Sequence, residues 1–86
     1  MNATLDALGQ RLGNAALTTL VRLCPEIRTA SPARQEAACA AMRAKAGEAI
    51  DELLADAKTA PWLAEVAFTS AVMTLVNEGI RALRAG

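Results

Sequence analysis

Residues 24–32 read Cys-Pro-Glu-Ile-Arg-Thr-Ala-Ser-Pro, and this stretch decides the fold. Pro25 disfavours helical geometry at Cys24, so a helix arriving from the N-terminal side stops there. Ser31-Pro32 is the opposite signal. Serine supplies an N-cap oxygen, and proline at the first helical position loses nothing, because its missing N–H has no partner there. One helix therefore ends and another begins within this stretch, with a short turn around Ile27 in the connection. Pro61 repeats the start signal further along the chain.

Working outward, Leu5, Leu8, Leu12, Ala15, Ala16, Leu20 and Leu23 recur at three- and four-residue spacings, the period of one helix face. They predict a helix over 4–23, capped by Asn2 or Thr4. Downstream, Cys39, Met42, Ala46, Ala49, Ile50, Leu53 and Ala57 mark the stripe of a helix over 32–58. A third runs over 61–84. No linker, repeat or low-complexity segment divides the chain, so 1–86 reads as one helical domain. The expected fold class is all-α: a three-helix bundle, or a helical hairpin with a third helix, assembled as a homodimer.

Alanine supplies 21 of the 86 residues, and Trp62 and Phe68 are the only aromatics. Alanine forms helix readily but adds little side chain to a core. A domain this size buries only about 60–65% of its unfolded surface. Helix is thus easily formed while the core is thin, and a second subunit would add what the single chain lacks.

The third helix carries more apolar surface than one contact face needs. Trp62, Val66, Met73, Val76, Ile80 and Leu83 lie along one side, and Leu63, Phe68, Val72 and Leu75 spread well beyond it. A helix this apolar is buried on more than one side. Either it is central within the chain, or a spare face packs on a second copy or another protein.

The residue inventory excludes much chemistry. With no histidine, nucleophile–histidine pairs, histidine metal sites and a pH switch near neutrality are ruled out. Cys24 and Cys39 have no ligand partners at zinc spacing. In an antiparallel hairpin they stand about 10 Å apart along the axis, which favours two free thiols over a disulfide. The acidic run Glu48, Asp51, Glu52 and Asp56 holds like charges at i,i+4 spacing. It reads as a solvated face before it reads as a cation site. Gly9 and Gly13, continued by Ala16, form a small-residue stripe that suits close packing of another helix, the alanine-rich second helix first. No catalytic, cofactor or metal residues are expected.

Nine basic and nine acidic residues cancel. Nucleic-acid binders usually carry a positive excess, so the neutral total argues against them. Folded up-down-up, however, the chain gathers Arg22, Arg28, Arg34, Arg43, Arg81 and Arg84 at one end. Asp6, Glu48, Asp51, Glu52, Asp56 and Glu65 gather at the other. Two antiparallel copies would set basic end beside acidic end. The N-terminus lacks a signal-peptide pattern, and no stretch reaches about eighteen uninterrupted apolar residues, so a cytoplasmic protein without a membrane segment is expected. Richness in alanine and arginine suggests a bacterial or phage source.

The expected function is therefore that of a small non-catalytic interaction protein: an adaptor or inhibitor, encoded by a phage or mobile element, acting on a host protein complex. Its candidate interaction residues are Trp62, Phe68, Val72, Leu75, Arg81, Arg84, Glu48, Glu52 and Asp56, and its partners are itself, another protein, or both. The alternative is a small DNA-binding regulator using the helix pair around 20–45, where Arg22, Arg28, Arg34 and Arg43 cluster. An enzyme would have to work with the carboxylates around Glu48 to Asp56 alone.

Overall fold

A computed structural model describes the backbone of residues 3–85 and the side chains of residues 6–85. Asn2 and the Thr4 side chain, proposed as caps, lie outside the described residues, as does the Leu5 side chain. Three helices make up nearly all of the rest: α1 (Ala3–Leu23), α2 (Pro32–Thr59) and α3 (Ala64–Ala85). There is no strand among the described residues.

The prolines set the joints. Cys24 adopts φ −136°, ψ 69°, the non-helical geometry a following proline requires, and Pro25–Arg28 form one 3₁₀ turn. Ile27 turns inward from it and is buried. The Gln35 amide, on the first turns of α2, donates to the Ile27 carbonyl at 2.8 Å and ties the connection down. Ser31 caps α2, its Oγ accepting from the Arg34 backbone N–H at 3.3 Å. At the second joint Ala60 stands at φ −140°, ψ 77°, and Pro61–Leu63 form another 3₁₀ turn. α3 therefore starts at Ala64 rather than at Pro61, because the Leu63 N–H closes back onto the Ala60 carbonyl at 2.8 Å before the α-helical pattern begins.

The 28 residues of α2 span about 42 Å at the helical rise, which sets the 40 Å long dimension of the molecule. α3 packs along α2 and also against α1, whereas α1 and α2 touch little. α3 is thus the central helix, and this accounts for most of its broad apolar circumference. Its Ala67, Ala71, Val72, Leu75, Val76 and Leu83 are all buried within the chain. They meet Leu12, Ala16 and Leu20 of α1 and Ala38, Met42, Ala49 and Leu53 of α2 in one core, with no buried polar or charged residue among those described. Burying each leucine contributes about 1.5–3 kcal/mol, but five core positions are alanines and contribute far less.

Gly79 packs tightly against side chains of both other helices. A Cβ there would stand 2.9 Å from Met42 Sδ and 3.4 Å from Leu20 Cδ2, so any larger residue makes the Met42 side chain shift. Residues Pro61–Ala85 also form one helical stretch long and apolar enough to cross a membrane by length and composition, with a mean hydropathy of 1.2 in its most apolar window. A run broken by threonine and serine reaches that level because its average, not an uninterrupted apolar sequence, decides it. The same stretch supplies the core positions above, which is what a central helix requires.

Candidate interaction surface

Among the described residues, the two most exposed large apolar side chains stand at the second joint and just after it, ahead of Leu23, Leu17 and Leu54. Because Pro61 opens a 3₁₀ turn instead of continuing α2, the next side chain, Trp62, is thrown outward at the corner. It is 82% exposed. Val66 follows one turn later and is 64% exposed. From Val66 onward, Met73, Asn77, Ile80 and Arg84 fall within an arc of about 60° at 3.6 residues per turn. None of them is buried. Val66, Asn77 and Arg84 of this outward stripe are exposed, and Met73 and Ile80 are half-buried against the edge of the core.

The expected interaction residues separate on this geometry. Trp62, Arg81 and Arg84 stand on or beside the outward stripe. Val72 and Leu75 do not: they are 6% and 2% exposed and belong to the core. Phe68 is half-buried on the α1 side, with the Arg11 guanidinium 4.9 Å over its ring, an attraction of cation and aromatic face. Missing from that set were Val66, Met73 and Ile80. Their apolar character is evident in sequence, but only the packing of α1 and α2 on α3 separates the exposed and half-buried positions from the buried ones.

The joint at the opposite end is held by charge. Arg84 Nη2 lies 3.2 Å from Glu26 Oε1 and joins the last turn of α3 to the first connection. The buried Cys24 thiol donates to the same carboxylate. Those two donors, the thiol first, hold the Glu26 carboxyl below the usual carboxylate range. In turn, the Glu26 hydrogen bond and burial push the Cys24 thiol up. A buried, protonated thiol is not a nucleophile. Cys39, half-buried on α2, is free as well.

Charges along the flanks are unevenly used. Arg43 pairs with Glu36 at 2.6 Å, Arg81 with Glu78 at 3.5 Å, and Lys45 with Glu48 at 3.3 Å. Asp51, Glu52 and Asp56 point into solvent with no ion pair among the described residues. No cluster of three or more carboxylates and cysteines there is placed to hold a metal ion. Asp56 and Thr59 border the flank of α3 beside Val66 and Ser70, across a shallow cleft.

No protein-family model, no curated protein and no solved structure matches the chain. The surface itself is therefore what the functional reading rests on.

Weak contact between α1 and α2 leaves a second feature, an apolar cleft of about 240 Å³ lined by Leu12, Gly13, Cys39, Met42 and Leu75 among others. Gly9 and Gly13 form part of its wall. A Cβ at Gly9 would make ordinary contact with Ile50 Cδ1 at 3.6 Å, and one at Gly13 would meet nothing within 4 Å. Ala16, the third small residue of that stripe, is fully buried. Gly13 thus faces open space, whereas Gly9 lies against the Ile50 side chain of α2.

Proposed function

We propose that this chain is a non-catalytic protein–protein interaction protein, a helical bundle that pairs with itself and serves as an adaptor or inhibitor within a larger assembly. The observation that carries this reading is the outward stripe of α3, which opens with Trp62 at 82% and Val66 at 64% exposure. A tryptophan and a valine one helical turn apart in water forgo about 1.5–3 kcal/mol for the valine alone, with a larger loss for the indole. Contiguous apolar surface of this kind, flanked by charge, marks interaction sites on small domains. Tryptophan and arginine are also the residue types most enriched at interface hot spots.

The thin alanine core supports the same reading, since a partner contributes burial that the single chain cannot. Light scattering on a sizing column tests it. The expected mass is about twice the 9.0 kDa of one chain, falling to the single-chain value in Val66→Asp. A single-chain mass for the unaltered protein at high concentration contradicts self-association.

A further inference from the structure

The α3 stripe is close to self-complementary about its own midpoint. Trp62 and Arg84 lie equally far from Met73 on either side, as do Val66 and Ile80, and Thr69 and Asn77. An antiparallel copy centred on Met73 therefore brings valine near isoleucine and the indole beside a guanidinium, each within about 20° of the centre line. Each of these pairings is favourable in kind.

The flanks agree with this direction. When two antiparallel helices meet on a two-fold axis, each flank faces the same flank of the other copy. Arg81 lies on the α2 side of the stripe with its side chain 75% exposed, held only by Glu78 one turn away at 3.5 Å. At the other end of that flank stands Asp56, across the cleft from Ser70, with Glu52 one turn before it on α2. Both are exposed and without an ion pair among the described residues. The two-fold brings the Arg81 end of one copy to the Asp56 end of the other. A parallel pairing would put the two copies of that flank on opposite sides of the seam, where Arg81 does not reach the partner's Asp56.

We infer that the outward stripe of α3 docks on the same stripe of a second copy, antiparallel, with the two-fold axis at Met73 and Arg81 facing the partner's Asp56. This rests on the interaction reading proposed above and adds the partner, its direction and its register.

Disulfide trapping tests it, in a Cys39→Ala background so that Cys24 is the only native thiol and stays buried. Met73→Cys places two thiols on the axis, within the 4.4–6.8 Å Cα separation a disulfide needs. Mild oxidation is expected to shift most of this variant to twice the chain mass on a non-reducing gel. Val66→Cys alone places its thiols about 21 Å apart along the axis and is expected to stay uncrosslinked. Mixed with Ile80→Cys, it is expected to crosslink.

Self-crosslinking of Val66→Cys as readily as Met73→Cys would overturn the antiparallel direction. A dimer by light scattering with no crosslink at any of these positions would overturn the docking face while leaving the interaction reading intact. A single-chain mass throughout would overturn both. So would a single-chain mass with the protein carried down by phosphatidylcholine vesicles, which would make lipid, not a second copy, the occupant of the stripe.

Discussion

Arg84, in the last turn of α3, reaches the Glu26 carboxylate in the connection after α1, with Nη2 3.2 Å from Oε1. The Cys24 thiol donates to that same carboxylate from the buried side. One carboxylate thus joins the ends of two helices, and both partners favour its charged form.

The pH dependence follows from the signs. The folded state holds the Glu26 carboxyl below its usual range. Its contribution is therefore fully present above the unfolded value of about 4.3 and is lost as pH falls through the folded value. Cys24 is raised, so its contribution is present below the unfolded value of about 8.5 and is lost as pH rises through the folded one. Urea midpoints are expected to be flat between about pH 5 and 8 and to fall on either side. Glu26→Gln should lie below the unaltered protein in that plateau, and the gap should close in acid. An unchanged gap at pH 3 would show that the carboxylate has no such role.

The two thiols are expected to differ sharply in reactivity. Cys24 is fully buried and held protonated, whereas Cys39 is half-buried at the wall of the α1–α2 cleft. Alkylation at pH 8 followed by mass spectrometry should label Cys39 first and Cys24 only at the rate of unfolding. Equal labelling rates in the native protein would contradict the buried position of Cys24.

Glycines 13 and 79 are expected to respond in opposite senses to the same substitution. Gly13→Ala gains helix propensity, up to about 1 kcal/mol, with space for the methyl group. Gly79→Ala has the same local gain but drives Cβ to 2.9 Å from Met42 Sδ, and overpacking of this kind costs about 1–3 kcal/mol. Urea unfolding should place Gly13→Ala above the unaltered protein and Gly79→Ala below it. The reverse order would mean that Met42 has room to move aside.

The all-helical class was legible from apolar spacing and the joints from the prolines, because each proline acts on its own neighbours through fixed local geometry: Pro25 on Cys24, Pro32 on α2, Pro61 on Ala60. What was not legible was which apolar residues of α3 face inward. Val72 and Leu75 look as available to a partner as Val66 and Met73 in sequence, since helical periodicity ranks faces only relative to one another. The choice depends on α1 and α2 each taking a different side of α3, a tertiary arrangement with no local signal. Gly79 has no local signal for the same reason. Gly9 and Gly13 carry a recognisable spacing, whereas Gly79 is marked only by Met42 and Leu20 converging on it from other helices.

The assembled state of the protein turns on whether the outward stripe of α3 is covered, and Trp62 reports this directly because it is the one tryptophan in the chain. The measurement is its fluorescence emission and acrylamide quenching, followed as the protein is diluted. Docking on a second copy predicts blue-shifted, poorly quenched emission at high concentration that moves to the red and becomes easily quenched on dilution. Val66→Asp should show the dilute behaviour at every concentration. Red, freely quenched emission at all concentrations of the unaltered protein would contradict the account.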